Sequence, residues 1–274
     1  MSRCGAGAII AMSSIVTDRG IVHYETFGRG KPVVLLHCWL GSWNYWLSTM
    51  EFLAQHQYKT YALDFWGFGE SAKQGAFSVD EYVEMVDQFM DRMGLGSAQV
   101  MGHSMGGTVS LALMLSHPQR VSKVAVVGSP IVGSGLSLLL KCAGNAQVAR
   151  LLYCVPGLLP ALIRLLSTTY AQDWRTLWDM LSQDLSRTTM ESFSRSIRDL
   201  RRADLRPRLH ECRVPAMGIY GRKDNIVSPK QAELLRRGVN NQTIHYFDGS
   251  GHFPMLDEMH RFHEAILGFL AKDL

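Results

Sequence analysis

Short runs of β-branched and apolar residues alternate along this chain with stretches whose apolar positions recur every three to four residues. The first pattern is that of buried strands and the second that of helices with one apolar face. Their alternation predicts a mostly parallel central sheet flanked by helices. Strands are expected at 21–26, 32–37, 60–63, 98–101, 123–127, 216–220 and 243–247. Pro32 lacks the N–H a ladder needs and is placed at the start of its strand.

Between the strands, Ser78-Val79-Asp80-Glu81 reads as a capping box, followed by a helix with Tyr82, Val83, Val86, Met90 and Met93 on one face and Gly94 at its end. A second helix runs from Met105 to about Ser116 and stops before Pro118. A third closes the chain with Met259, Phe262, Ile266 and Phe269 turned inward. The alternation fails at 131–211, which holds no convincing strand and reads as several helices punctuated by Gly144, Pro156-Gly157 and Pro160. An all-helical insertion there predicts a cap over the carboxyl ends of the strands, where such sheets bind ligands. The division is then an N-terminal extension at 1–13, an α/β core at 14–130 and 212–274, and a helical cap at 131–211.

With 274 residues and 47% hydrophobic composition the chain can bury a sizeable core. Its net charge of +4 comes from the insertion, where eleven Lys and Arg face seven Asp and Glu. A footprint on nucleic acid would be denser, so no nucleic-acid partner is expected. Five cysteines, widely spaced and without a C-x-x-C pair, suit neither a disulfide framework nor a zinc site and fit a reducing cytoplasm. The apolar run before Met12 is too short for a good secretory signal, and 151–166 is broken by Pro156, Pro160 and Arg164, so no stable membrane insertion is expected.

The chemistry concentrates at Gly102-His103-Ser104-Met105-Gly106-Gly107, a G-x-S-x-G pattern between an apolar strand and an apolar helix. Its glycines let neighbouring backbone approach a sharply turned serine, and the helix N-terminus favours a developing negative charge. A serine hydroxyl needs a base, and among ten histidines His252 alone sits in a glycine-flanked loop, Gly249-Ser250-Gly251-His252, after the last strand. Asp224 follows the strand at 216–220 and supplies the orienting carboxylate in the order Ser, Asp, His. Its rivals are Asp248, close to the histidine in sequence, and Asp64, which reads as a turn held with Ser71. Gly67 to Ala72 also fits a dinucleotide fingerprint, but no helix starts there at once, so no nucleotide cofactor is expected.

Together Leu36-His37, Asp64 with Gly67 and Gly69, Gly102 to Gly107, Gly221 to Asp224 and Gly251-His252 resemble the α/β-hydrolase superfamily from about Ser14 onward. The resemblance implies an oxyanion hole from the backbone N–H groups of Met105 and Trp39. It also puts the cap after the sixth strand of the core, the place taken by the strand at 123–127. One departure stands out, Cys38 where the family usually has glycine. It reads either as a reactive thiol or as a small buried hydrophobe.

Trp43, Trp46, His103, Trp174 and Trp178 are expected to line an apolar substrate pocket. The implied activity is a serine hydrolase cleaving carboxylic esters of apolar, uncharged small molecules through an acyl-enzyme, with no metal and no organic cofactor. Two other readings remain at this point. One is a carbon–carbon bond hydrolase acting on a diketone-type substrate; the other is a ligand-binding protein that retains the triad. The oligomeric state is left open.

Overall fold

The computed structural model describes residues 13–272; the segment before Ser13, which carries most of the expected N-terminal extension, lies outside them. Eight strands form one sheet: β1 (Ser13–Thr17), β2 (Gly20–Gly28), β3 (Lys31–Leu36), β4 (Tyr58–Leu63), β5 (Ala98–His103), β6 (Val121–Val127), β7 (Ala216–Gly221) and β8 (Gln242–Phe247). Their spatial order is β1-β2-β4-β3-β5-β6-β7-β8, antiparallel from β1 to β4 and parallel beyond. Every residue of β5 and β7 is buried, as expected of strands covered on both faces.

Two expectations need correction here. β1 was not anticipated, because an edge strand paired on one side, with Val16 71% exposed, shows little alternation. Its pairing begins at Ser13, one residue inside the expected extension. Pro32 stands second in β3 rather than first; pairing with β5 begins only at Val33, so no central ladder bond is lost.

The helices are α1 (Leu47–Ala54), α2 (Val79–Arg92), α3 (Met105–Ser116), α4 (Leu138–Ala143), α5 (Ala146–Cys154), α6 (Leu158–Tyr170), α7 (Trp174–Ser186), α8 (Met190–Leu200), α9 (Gln231–Gly238), α10 (Pro254–Asp257) and α11 (Met259–Ala271). At α2 the Ser78 hydroxyl accepts from the Glu81 N–H, but the Glu81 carboxylate reaches back to the N–H of Phe77 rather than of Ser78. In α11, Phe262, Ile266 and Phe269 are buried while Met259 is exposed. His263 of the same helix stacks on Phe52 with ring centroids 4.4 Å apart.

Five helices, α4 to α8, fill the interval between β6 and β7. On the other side of the sheet's centre, the chain leaves β3 for β4 and then crosses back to β5, so the connections after β3 and β5 diverge. The crevice this reversal opens at the strands' carboxyl ends is where an open α/β sheet binds ligands. The segment Cys38–Leu40 follows β3 into it and Ser104 follows β5.

Candidate active site

Ser104 occupies the single residue between β5 and α3 with φ 53° and ψ −116°, in the left-handed region where side chains are rarely held without cause. Neighbouring backbone fixes it there. Its N–H donates to the Val127 carbonyl at 2.8 Å, and its own carbonyl accepts from the N–H groups of Gly107 and Thr108. The turn closes because Gly102 and Gly106 have no Cβ: one at Gly102 would run into the Gly106 carbonyl, and one at Gly106 into that of Leu36. The Ser104 hydroxyl does not cap α3, so it remains available for chemistry.

His252 and Asp224 meet at the ends of two other strands. The His252 Nδ1–H donates to Asp224 Oδ2 at 2.7 Å, and both side chains are almost completely buried. Asp224 Oδ1 accepts from the N–H groups of Ile226 and Val227, each at 2.9 Å, which locks the carboxylate's orientation. With Nδ1 donating, Nε2 is the acceptor of the neutral ring. Gly128, which the sequence reading passed over, has φ +53°, and a Cβ there would sit 3.2 Å from His252 Nδ1. Asp248, the rival carboxylate, is 76% exposed and pairs with Arg222 at 2.7 Å. Asp64 is buried and serves a turn: its carboxylate accepts from the N–H groups of Trp43 and Glu70, and its carbonyl from the Ser71 hydroxyl.

The expected oxyanion loop is braced from below by His37. Burial pushes this imidazole down to about 4, so it is neutral, donating from Nδ1 to the Cys38 carbonyl at 2.6 Å and accepting the Phe65 N–H at Nε2. Trp39 lies beside the Ser104 cavity and its indole N–H donates to the Phe193 carbonyl of α8 at 3.0 Å. Met105 is the first residue of α3, where backbone N–H groups lack helical acceptors. Cys38 is buried and does not adopt a positive φ; the strained residue in this loop is Leu40, at φ 59°. Burial pushes the Cys38 thiol far up, with Asp184 adding to the effect, so it behaves as a small hydrophobe.

Ser104, His252 and Trp39 line one cavity of about 150 Å³, roofed by Leu140, Leu152, Leu159, Ile163 and Leu166 of α4 to α6. No described residue lining it is Asp, Glu, Lys or Arg. The expected pocket residues are elsewhere. Trp46 is fully buried in the core, and Trp43, whose backbone N–H donates to Asp64, does not line the cavity. His103 is fully buried and donates from Nε2 to the His252 carbonyl at 2.8 Å, so it supports the histidine's loop rather than meeting substrate. Trp174 and Trp178 border an outer groove with Arg164 and Leu165, on the far side of α6 from the cavity. The cavity's lining was readable in part: Leu159, Ile163 and Leu166 recur at helical spacing, a stripe the tryptophans overshadowed.

Asp184 of α7 ties the inserted helices to the core near this loop. Burial pushes its carboxyl up to about 7 and nearby Asp64 adds to this, while a hydrogen bond to Ser42 and the charges of Arg187 and Lys73 only partly offset it. Its Oδ2 has no partner, as suits a protonated carboxyl. A raised folded value means that stability present below the ordinary carboxylate range, near pH 4, is lost as pH climbs through 7. Asp184→Asn keeps the hydrogen-bonding shape without the charge. It is expected to match the parent's thermal stability at about pH 4 and below and to exceed it at pH 8, by at most about 4 kcal/mol. Equal melting curves for the two proteins at pH 8 would remove this account.

The comparisons with known proteins agree with this architecture. A family model described as the alpha/beta hydrolase fold matches residues 31–148. A 2-hydroxy-6-oxononadienedioate/2-hydroxy-6-oxononatrienedioate hydrolase of Paraburkholderia phymatum is 27% identical over 268 residues, covering 92% of this chain and 91% of its own. A pimeloyl-[acyl-carrier protein] methyl ester esterase of Vibrio vulnificus is 26% identical, covering 92% and 98%. Among solved structures, the enol-lactonase of Burkholderia xenovorans LB400 superposes with a TM-score of 0.82 at 20% identity, over 95% of this chain and 100% of its own. An eight-stranded, mostly parallel sheet with a serine turn at its switch point gives this chain the α/β-hydrolase fold, and the hydrolases it resembles over nearly its whole length mark it as a hydrolase of that fold.

Proposed function

We propose that this hydrolase is a serine esterase acting on carboxylic esters with an apolar, uncharged acyl group. Ser104 attacks the ester carbonyl while His252 Nε2 takes its proton; the N–H groups of Met105 and Trp39 hold the resulting oxyanion. The imidazolium, stabilised by Asp224, returns the proton to the leaving alcohol. Water then enters, gives a proton to His252 as it attacks the acyl carbonyl, and the acid leaves as the bond to Ser104 breaks and His252 returns that proton to Ser104 Oγ. Helices α4 to α8 act as a cap whose leucines shape the acyl site. The observation that carries this reading is that Ser104 and the Asp224-bound His252 share one cavity without a charged lining.

That lining also favours the esterase reading over carbon–carbon hydrolysis. The Paraburkholderia relative is named for dienedioate and trienedioate substrates, and a dicarboxylate placed in this cavity would bury a charge with no Arg or Lys to meet it. The Vibrio relative is named for a methyl ester, which the same triad would cleave by the steps above.

The test is covalent labelling of Ser104 by a fluorophosphonate, followed by kcat/KM over a panel of p-nitrophenyl esters and dienedioic acids. Medium-chain esters are expected to exceed the diacids by at least about 10²-fold, the cost of one unpaired buried carboxylate. Preference for the diacid would give the site to carbon–carbon cleavage, and no labelling with no turnover of any substrate would leave a binding protein.

A further inference from the structure

The roof of the cavity also exposes large apolar side chains on its outer side. Of the nine large apolar side chains that are exposed among the described residues, five, Leu138, Leu139, Leu151, Val155 and Leu165, fall in or between α4, α5 and α6. Isolated exposed apolar side chains are ordinary on soluble proteins; four leucines on three consecutive helices, each packed on the next, with Val155 in the turn between two of them, are not. The charge on these helices has one sign. They carry Lys141, Arg150 and Arg164, and the chain has no Asp or Glu anywhere between Asp91 and Asp173. Helices α5 and α6 are together long and apolar enough for a membrane span, yet they meet at 105°, so they cannot cross a bilayer as one rod. A bent apolar pair flanked by cations suits the plane of a lipid interface instead.

Two further features belong to the same layer. Trp174 and Trp178 border the groove against α6, with the Arg164 guanidinium 6.0 Å from the Trp178 ring, an amphipathic grouping of the kind enriched at bilayer surfaces. Leu139 both lines the cavity and is 44% exposed, so the outer face runs into the cavity at that side chain.

We propose that the outer face of α4 to α6 docks on an anionic lipid bilayer, so that an apolar ester passes from the lipid into the Ser104 cavity without crossing water. The occupant is chosen by charge. An apolar face alone would suit a second copy of this chain equally well, but two copies would bring Lys141, Arg150 and Arg164 of each against the other's with no carboxylate from these helices to offset them. Anionic headgroups neutralise them while the leucines enter the acyl region. The delivery step rests on the esterase reading; the docking does not.

The experiment is flotation of the whole protein with vesicles of phosphatidylcholine alone and of phosphatidylcholine mixed with phosphatidylglycerol, at low and high salt. Partitioning is expected to be at least about tenfold greater on the anionic vesicles and to fall with salt. A variant carrying Leu151→Glu and Leu165→Glu, both outside the cavity lining, is expected to lose at least about tenfold of it. A second variant, with Lys141, Arg150 and Arg164 all changed to Gln, should lose the preference for anionic lipid. In both, turnover of soluble p-nitrophenyl acetate should stay within about twofold of the parent, since no reacting group is touched.

Absence of flotation, or equal flotation of parent and double Glu variant, overturns the proposal. So does a parent that sediments as a dimer and a double Glu variant that sediments as a monomer with neither floating, which would assign the face to a second copy. Because flotation is read without turnover, and Ser104→Ala should float as the parent does, failed docking with intact esterase activity refutes only the docking. Docking without esterase activity refutes only the esterase.

Discussion

Ser104→Ala is expected to lower kcat for an apolar p-nitrophenyl ester by about 10³-fold or more while leaving folding and substrate binding in place. The structure explains why so large a functional loss should come with so small a structural one. The hydroxyl does not cap α3, so its removal leaves no helix N–H newly unsatisfied. The strain at φ 53° belongs to the backbone and is the same for alanine as for serine. The bonds that hold the turn run through the main-chain N–H and carbonyl of residue 104, which the substitution keeps. The melting temperature should therefore move by no more than a few degrees, and the protein should lose its fluorophosphonate label. Unchanged turnover, or label retained at another serine, would end the assignment of Ser104.

The site was legible in the sequence where a local motif forces a local geometry. Ser104 is an example, since a strand, a serine between glycines and a helix can be joined in few ways. The pocket was not legible for a different reason. A large aromatic near the active loop and a large aromatic in the core look alike in sequence, and Trp46 proved to belong to the core. His103 was misplaced although strand alternation argued otherwise: successive side chains leave a strand on opposite faces, so the residue before Ser104 points below it, where it holds the His252 carbonyl. Gly128 escaped notice because its significance lies in a contact with His252, far along the chain, and no local pattern marks it. The strand β1 was missed because its pairing partner lies on one side only and its outer residues face solvent.

The sharpest comparison is between two aspartates that stand 24 positions apart near the same histidine. Asp224→Asn is expected to reduce kcat by about 10³- to 10⁴-fold, and Asp248→Asn to leave it within about twofold. In Asp224, Oδ1 is committed to the N–H groups of Ile226 and Val227. An asparagine must keep its carbonyl oxygen there, because its amide group would otherwise meet two donors with a donor. Its NH₂ then faces His252 Nδ1, the atom that now donates to Asp224. The imidazole can accept that bond only by moving its own proton to Nε2, and a ring protonated there cannot take the proton of Ser104. The substitution thus changes the tautomer while leaving the shape, and it also withdraws the negative charge that stabilises the imidazolium. Asp248 touches none of this. Its partner Arg222 is more than half exposed, and a solvent-exposed ion pair contributes no more than about 1 kcal/mol. A dead Asp248→Asn enzyme beside an active Asp224→Asn enzyme would show that the carboxylate has been assigned to the wrong strand end.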